Sequence, residues 1–218
     1  MQVLQLSVRK TTQNPKYKPG VPMLSEADLE ATGPNCTRLH AYVMEHSKDK
    51  LGFPAKVAQA YFQGDGDLML NVAFNDVYDL ITLGALDVSF LRSWTLKMMQ
   101  NAAEMQCSVG FLDPQIFTAT VISHQPSTVT QAIKNAMKND YVVGAYNTGG
   151  HWVTVIISIK YKKVWYLDSA KLFPVRSQPS GTFLCGFYVA FNMLKLVGDI
   201  TIMKKAAMTD EMLLRCNQ

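Results

Sequence analysis

Four stretches late in the chain carry side chains that could do chemistry together. They are Gly150-His151-Trp152, Tyr166-Leu167-Asp168-Ser169, Gln178-Pro179-Ser180-Gly181 and Cys185-Gly186-Phe187-Tyr188. In that order they supply an imidazole, a carboxylate, a side-chain amide and a thiol. A thiol attacks carbonyls as its thiolate, and an adjacent imidazole favours that form. A carboxylate on the far ring nitrogen holds the imidazole in the right tautomer. An amide donor beside the nucleophile can stabilise an oxyanion. These are the groups that cysteine-type acyl transfer needs.

The elements around them must bring the four groups together. Tyr141–Tyr146, Trp152–Ile159 and Val164–Leu167 are rich in β-branched and aromatic residues and read as strands, with Lys160–Lys163 as the turn between the last two. His151 then sits at the mouth of one strand, after the flexible Asn147-Thr148-Gly149-Gly150, and Asp168 ends the partner strand. Antiparallel neighbours lie about 5 Å apart, so imidazole and carboxylate can meet at one sheet end. Cys185 opens an apolar helix expected over Cys185–Leu196, where free N–H groups and the positive dipole end favour a thiolate. That helix should be buried against the sheet.

Upstream, residues 1–24 read as a loose arm and Ser25-Glu26-Ala27-Asp28 as a capping box opening a short helix that Gly33-Pro34 stops. Asn35 is the expected cap of a second helix reaching about Ser47. Gly64-Asp65-Gly66-Asp67 reads as a turn, Leu68–Phe74 as a short strand, and Asn75-Asp76 as the start of a short helix. Asp87 should cap a helix whose buried face holds Val88, Leu91, Trp94, Thr95, Met98 and Met99. Asp113-Pro114 marks a turn. Pro126–Asn139 reads as an amphipathic helix with Val129, Ile133 and Met137 inside, and Ile202–Leu214 as a final helix.

The chain has 218 residues, 48% of them hydrophobic, with a formal net charge of +4, which fits an ordinary globular domain with an appended arm. The basic residues are dispersed, so no nucleic-acid footprint is expected. No apolar run reaches the ~18 residues of a membrane span, and the N-terminus lacks the apolar core of a secretory signal. Cys36, Cys107, Cys185 and Cys216 have no paired spacing and read as reduced thiols of a nuclear or cytoplasmic protein. Cys36 and His40 share helical spacing but lack a second ligand pair, so no metal is expected. Gly64–Asp67 lacks the ligands of an EF-hand loop. His40, His46 and His124 have no evident chemical partners.

The ordered set His151-Trp152, Trp165-Tyr166-Leu167-Asp168-Ser169, Gln178-Pro179 and Cys185-Gly186 resembles the ubiquitin-like-protein-specific proteases, the SUMO protease family. Asp76-Val77-Tyr78-Asp79-Leu80, Ala85-Leu86-Asp87-Val88-Ser89 and Val109-Gly110-Phe111-Leu112-Asp113-Pro114 extend the likeness, which looks nearest to a plant, transposon-associated branch. The resemblance implies an α+β, papain-like fold: a mostly antiparallel central sheet flanked by helices, with a helical N-terminal arm over 1–74 and a catalytic domain over 75–218. It implies Cys185 as nucleophile, His151 as general base, Asp168 as orienter and Gln178 as oxyanion donor. Trp152 would line a tunnel that excludes every Cβ and so selects the terminal Gly-Gly of a ubiquitin-like modifier. No cofactor is implied.

Two departures from the family stand out. Only nine residues separate Asp168 from Gln178, where relatives carry a helix and a strand, and Gly84-Ala85 replaces an aromatic tunnel wall. Each residue also has a simpler reading: His151 as a loop histidine, Asp168 as a turn former, Cys185 as a core thiol. Three readings stay open here: a working peptidase, a catalytically inactive relative that at most binds a modifier, and an acetyltransferase of related fold.

Overall fold

The structure, a computed structural model, describes residues 17–57, 62, 68–170 and 181–203. Helix α1 (Glu26–Ala31) starts where the Ser25 hydroxyl accepts from the Asp28 N–H at 3.1 Å. Helix α2 (Pro34–His46) has Pro34 in its first turn and Gly33 as its cap, not the Asn35 cap expected. Proline already lacks the N–H that a helix start leaves unpaired, so Pro34 sets the boundary. Strands β1 (Gly52–Val57) and β2 (Leu68–Ala73) form an antiparallel pair that runs directly into α3 (Phe74–Ile81).

Residues 17–24, expected to be loose, are tied down. The Gly20 N–H donates to the Ser47 hydroxyl at 3.0 Å and the Met23 N–H donates to His40 Nε2 at 3.1 Å. Met23 is buried with Val43, Val72, Phe74, Val77 and Tyr78. This cluster joins the N-terminal elements to α3.

The second sheet holds β3 (Val109–Leu112), β4 (Tyr141–Asn147), β5 (Trp152–Ser158) and β6 (Lys163–Leu167) in that order. β3 pairs parallel with β4, and the other pairs are antiparallel. The expected strands therefore appear, and the mostly antiparallel sheet with them. On one face lie α4 (Val88–Glu104), capped by Asp87 as expected, and α7 (Cys185–Met203). On the other lie α5 (Ala119–His124) and α6 (Pro126–Ala136).

α4 and α7 run side by side in the same direction. The Trp94 indole donates to the Ala190 carbonyl at 2.8 Å, and the Thr95 hydroxyl lies 4.0 Å from the Met193 sulfur. Leu91, Met98, Val189, Met193 and Leu196 are buried against Ile156 and Val143 of the sheet. The interior thus matches the expected apolar helix, which continues to Met203 and absorbs the start of the helix expected at Ile202. The rest of that helix, the Gly64–Asp67 turn and residues 1–16 lie outside the described residues.

Three elements escaped the sequence pattern: β1 carries Gly52 and Pro54, β3 has only four residues, and α5 has six. Met137, expected inside α6, falls just past its end and is 44% exposed.

Candidate active site

The β4–β5 hairpin carries the imidazole. Asn147 and Trp152 face each other across the ladder, and the four residues between them make the turn. Gly149 and Gly150 adopt φ of +106° and +141°, a left-handed region that favours glycine. The turn presents His151 to the end of β6, where its Nε2 lies 2.7 Å from Asp168 Oδ1. The same carboxylate oxygen accepts from the Ala170 N–H at 3.0 Å. With Asp168 ionised, Nε2 carries the proton and donates it. The lone pair is then left on Nδ1, the tautomer a general base requires.

Cys185 opens α7 and is buried, 8% exposed. A hydrogen bond from Asn192 Nδ2 to Thr154 Oγ1, 3.2 Å long, fixes the register of α7 on β5. From Asn192 back to Cys185 is about 10 Å of helix at 1.5 Å per residue. From Thr154 back to His151 is likewise about 10 Å of strand. Cys185 shares a buried cluster with Trp152, the first residue of β5, so both paths run the same way and the thiol and the imidazole arrive at the same end of the sheet. Among the described residues no hydrogen bond joins them.

Gly186 seats this end of the helix. A Cβ there would stand 2.7 Å from Leu86 Cβ, so only glycine lets α7 approach the start of α4 this closely. Leu86, Trp152 and Cys185 lie in one buried cluster, with Trp152 itself 9% exposed. The indole expected to wall a tunnel is thus beside the thiol-bearing helix.

Beside Leu86 the chain gathers Asp76, Asp79 and Asp87. Burial, then repulsion from Asp87, raises the carboxyls of Asp76 and Asp79 above their ordinary range, against a lowering hydrogen bond from the Ala73 N–H to Asp76. Sequence reading missed this cluster because the three acids fall in two elements. Gln178 lies outside the described residues.

The remaining histidines do have partners. His40 is buried and accepts from Met23, while His46 and His124 reach the carbonyls of Tyr42 and Thr120 through Nδ1. No cluster of three metal-ligating side chains occurs among the described residues. A groove of about 800 Å³ between α4, α6 and β3 is remote from the His151–Asp168 pair. Its titratable groups are Cys107 and Asp113, the latter held by Arg92.

A family match now bears on this geometry. Residues 67–174 match the Ulp1 protease family, C-terminal catalytic domain. The Ulp1 match takes in His151, Trp152 and Asp168, and stops short of Gln178 and Cys185. It supports the SUMO protease family to which the motif set pointed. A solved structure described as the crystal structure of the de-sumoylating protease is similar at 16% identity and a TM-score of 0.50, over 72% of this chain and 79% of that one. At that identity the likeness concerns the fold, which is the α+β, papain-like fold of Ulp1 proteases. No curated protein matches the sequence. No helix among the described residues is long and apolar enough to cross a membrane.

Proposed function

We propose that this protein is a Ulp1-type cysteine peptidase that cleaves after the C-terminal Gly-Gly of a ubiquitin-like modifier. The observation that carries the reading is the 2.7 Å His151–Asp168 pair at the sheet end where α7 delivers Cys185. In this reading Nδ1 of His151 takes the thiol proton and the Cys185 thiolate attacks the glycine carbonyl. The protonated imidazole then releases the amine, and water resolves the thioester. Gln178 donates to the oxyanion. Trp152 narrows the approach so that a residue with a Cβ cannot pass.

In this reading the catalytic domain spans residues 75–218 and residues 1–74 form an N-terminal arm, of which Met23 and Val43 are buried with Val77 and Tyr78 of α3. Within the Ulp1 protease family, the motif set resembles most the plant, transposon-associated branch. Cys36, Cys107 and Cys185 are not joined in disulfides, which suits a reducing nuclear or cytoplasmic setting.

Covalent labelling tests this directly. Ubiquitin and SUMO carrying C-terminal thiol-reactive warheads are incubated with the wild-type protein and Cys185→Ala. One modifier should form an adduct that the variant cannot form. An adduct retained in Cys185→Ala would remove Cys185 from its role.

A second reading is a relative that binds a modifier without cutting it. It is favoured by the missing thiol–imidazole hydrogen bond and by the nine-residue link between Asp168 and Gln178. Modifier binding by a folded wild-type protein, with no adduct and no turnover, would select it.

A further inference from the structure

We infer that Asn147 is the positioning residue for His151, acting through the glycine turn; its role in reactivity rests on the thiol chemistry proposed above. Asn147 Oδ1 accepts from two successive backbone donors, Gly149 N–H at 2.8 Å and Gly150 N–H at 3.1 Å. The next residue completes the clamp: the Thr148 N–H and hydroxyl both donate to the His151 carbonyl, at 2.9 and 3.1 Å. The imidazole's backbone is therefore approached from both sides of a four-residue turn.

Packing cannot do this work. Gly149 and Gly150 are exposed, and a Cβ on either would touch nothing within 4 Å. Their left-handed conformations cost glycine little, but glycine also leaves the turn many alternatives. A side-chain acceptor that collects two consecutive N–H groups selects one of them. Such an acceptor must itself be fixed, and Asn147 is. Its N–H donates to the Phe117 carbonyl at 3.1 Å, it pairs with Trp152 across the hairpin, and it bridges to Thr118. The amide thus stands on three backbone anchors.

The contact that must survive is His151 Nε2 to Asp168 Oδ1, where a displacement of about 1 Å is enough to lose productive geometry. Its N–H proton can be followed by NMR of histidine-labelled protein without any substrate. In Asn147→Ala this resonance should broaden or vanish while the melting temperature stays within a few degrees. Asn147→Asp, which keeps an oxygen at the same place, should restore it. Adduct formation by the responsive modifier warhead should fall at least tenfold in Asn147→Ala and return to within about threefold in Asn147→Asp.

If Asn147→Ala does not fold, Asn147→Gln displaces the same oxygen by one methylene and should give the same losses. An unchanged His151 proton in a folded Ala or Gln variant overturns the proposal, as does failure of Asn147→Asp to restore it. A resonance that follows the pattern in a protein that no warhead labels leaves Asn147 in its role. That outcome would count against the peptidase reading alone.

Discussion

At the scale of single residues, the His151–Asp168 pairing was legible, while the partners of the other histidines were not. His151 and Asp168 stand out by type and order, and the structure joins them at 2.7 Å. His40 looked idle, yet it is buried and its Nε2 receives the Met23 N–H. That acceptor role needs a neutral ring, and burial accordingly lowers the His40 pKa from 6.5. The unfolded chain then binds a proton that the folded chain resists. His40 therefore contributes its full stabilisation above pH 6.5 and loses it as pH falls from there towards the lowered folded value. His40→Leu leaves the Met23 N–H unpaired, at a cost of about 1–3 kcal/mol near neutrality. Melting curves should show the gap between wild type and variant narrowing as pH drops from 7.5 to 5.5. A gap constant across that range would contradict the assignment.

At the scale of elements, the meeting of α4 and α7 decides where the thiol sits. Gly186 and Leu86 leave no room for one added carbon, at 2.7 Å. Gly186→Ala should therefore destabilise the protein by about 1–3 kcal/mol despite alanine's better helix propensity. Leu86→Gly removes the Cβ itself and opens a cavity, and should cost at least the roughly 2–5 kcal/mol of a leucine truncation alone. Because the two changes meet at one contact, the double variant should cost clearly less than the sum of the single ones. Urea denaturation of the four proteins measures the coupling, and strict additivity would show that Leu86 does not set the approach. Asp79 acts on the same corner. Its raised carboxyl makes ionisation unfavourable in the folded protein, so Asp79→Asn should raise the melting temperature at pH 7. That advantage should fade as pH falls and wild-type Asp79 takes up its proton.

At the scale of the molecule, one sheet separates two apolar layers, and a buried ion pair bridges them. Arg92 on α4 grips Asp113 at the end of β3 through Nε at 2.9 Å and Nη2 at 2.8 Å. Both residues are buried, and the Gln115 N–H adds a third donor to the carboxylate at 2.9 Å. Asp113 also opens the segment that runs to Phe117 and Thr118, the anchors of Asn147. Arg92→Met strands a buried carboxylate and should cost about 3–5 kcal/mol, whereas pairing it with Asp113→Leu should recover most of that loss. Chemical denaturation would show it, and equal losses in the single and double variants would contradict the bridge. The cover on the α6 side stops short of β6, where Val164 and Tyr166 remain 53% and 61% exposed.

Local chemistry determined what the sequence by itself could determine. Capping side chains placed α1 and α4, β-branched runs placed β4, β5 and β6, and the ordered imidazole, carboxylate and thiol announced a site. Each of these signals is written in a few neighbouring residues or in the order of short motifs, and needs no fold to be read. Elements without such signals stayed hidden: β1 with its glycine and proline, the four residues of β3, the single turn and a half of α5. Partnerships between distant segments also needed the tertiary structure. Asn147 reads as a turn residue until Phe117 and Thr118 anchor it, and Arg92 and Asp113 lie too far apart in sequence to suggest a pair. Which end of the sheet receives Cys185 depends on how a helix lies on a strand, and the Asn192–Thr154 register together with the shared burial of Cys185 and Trp152 decided it.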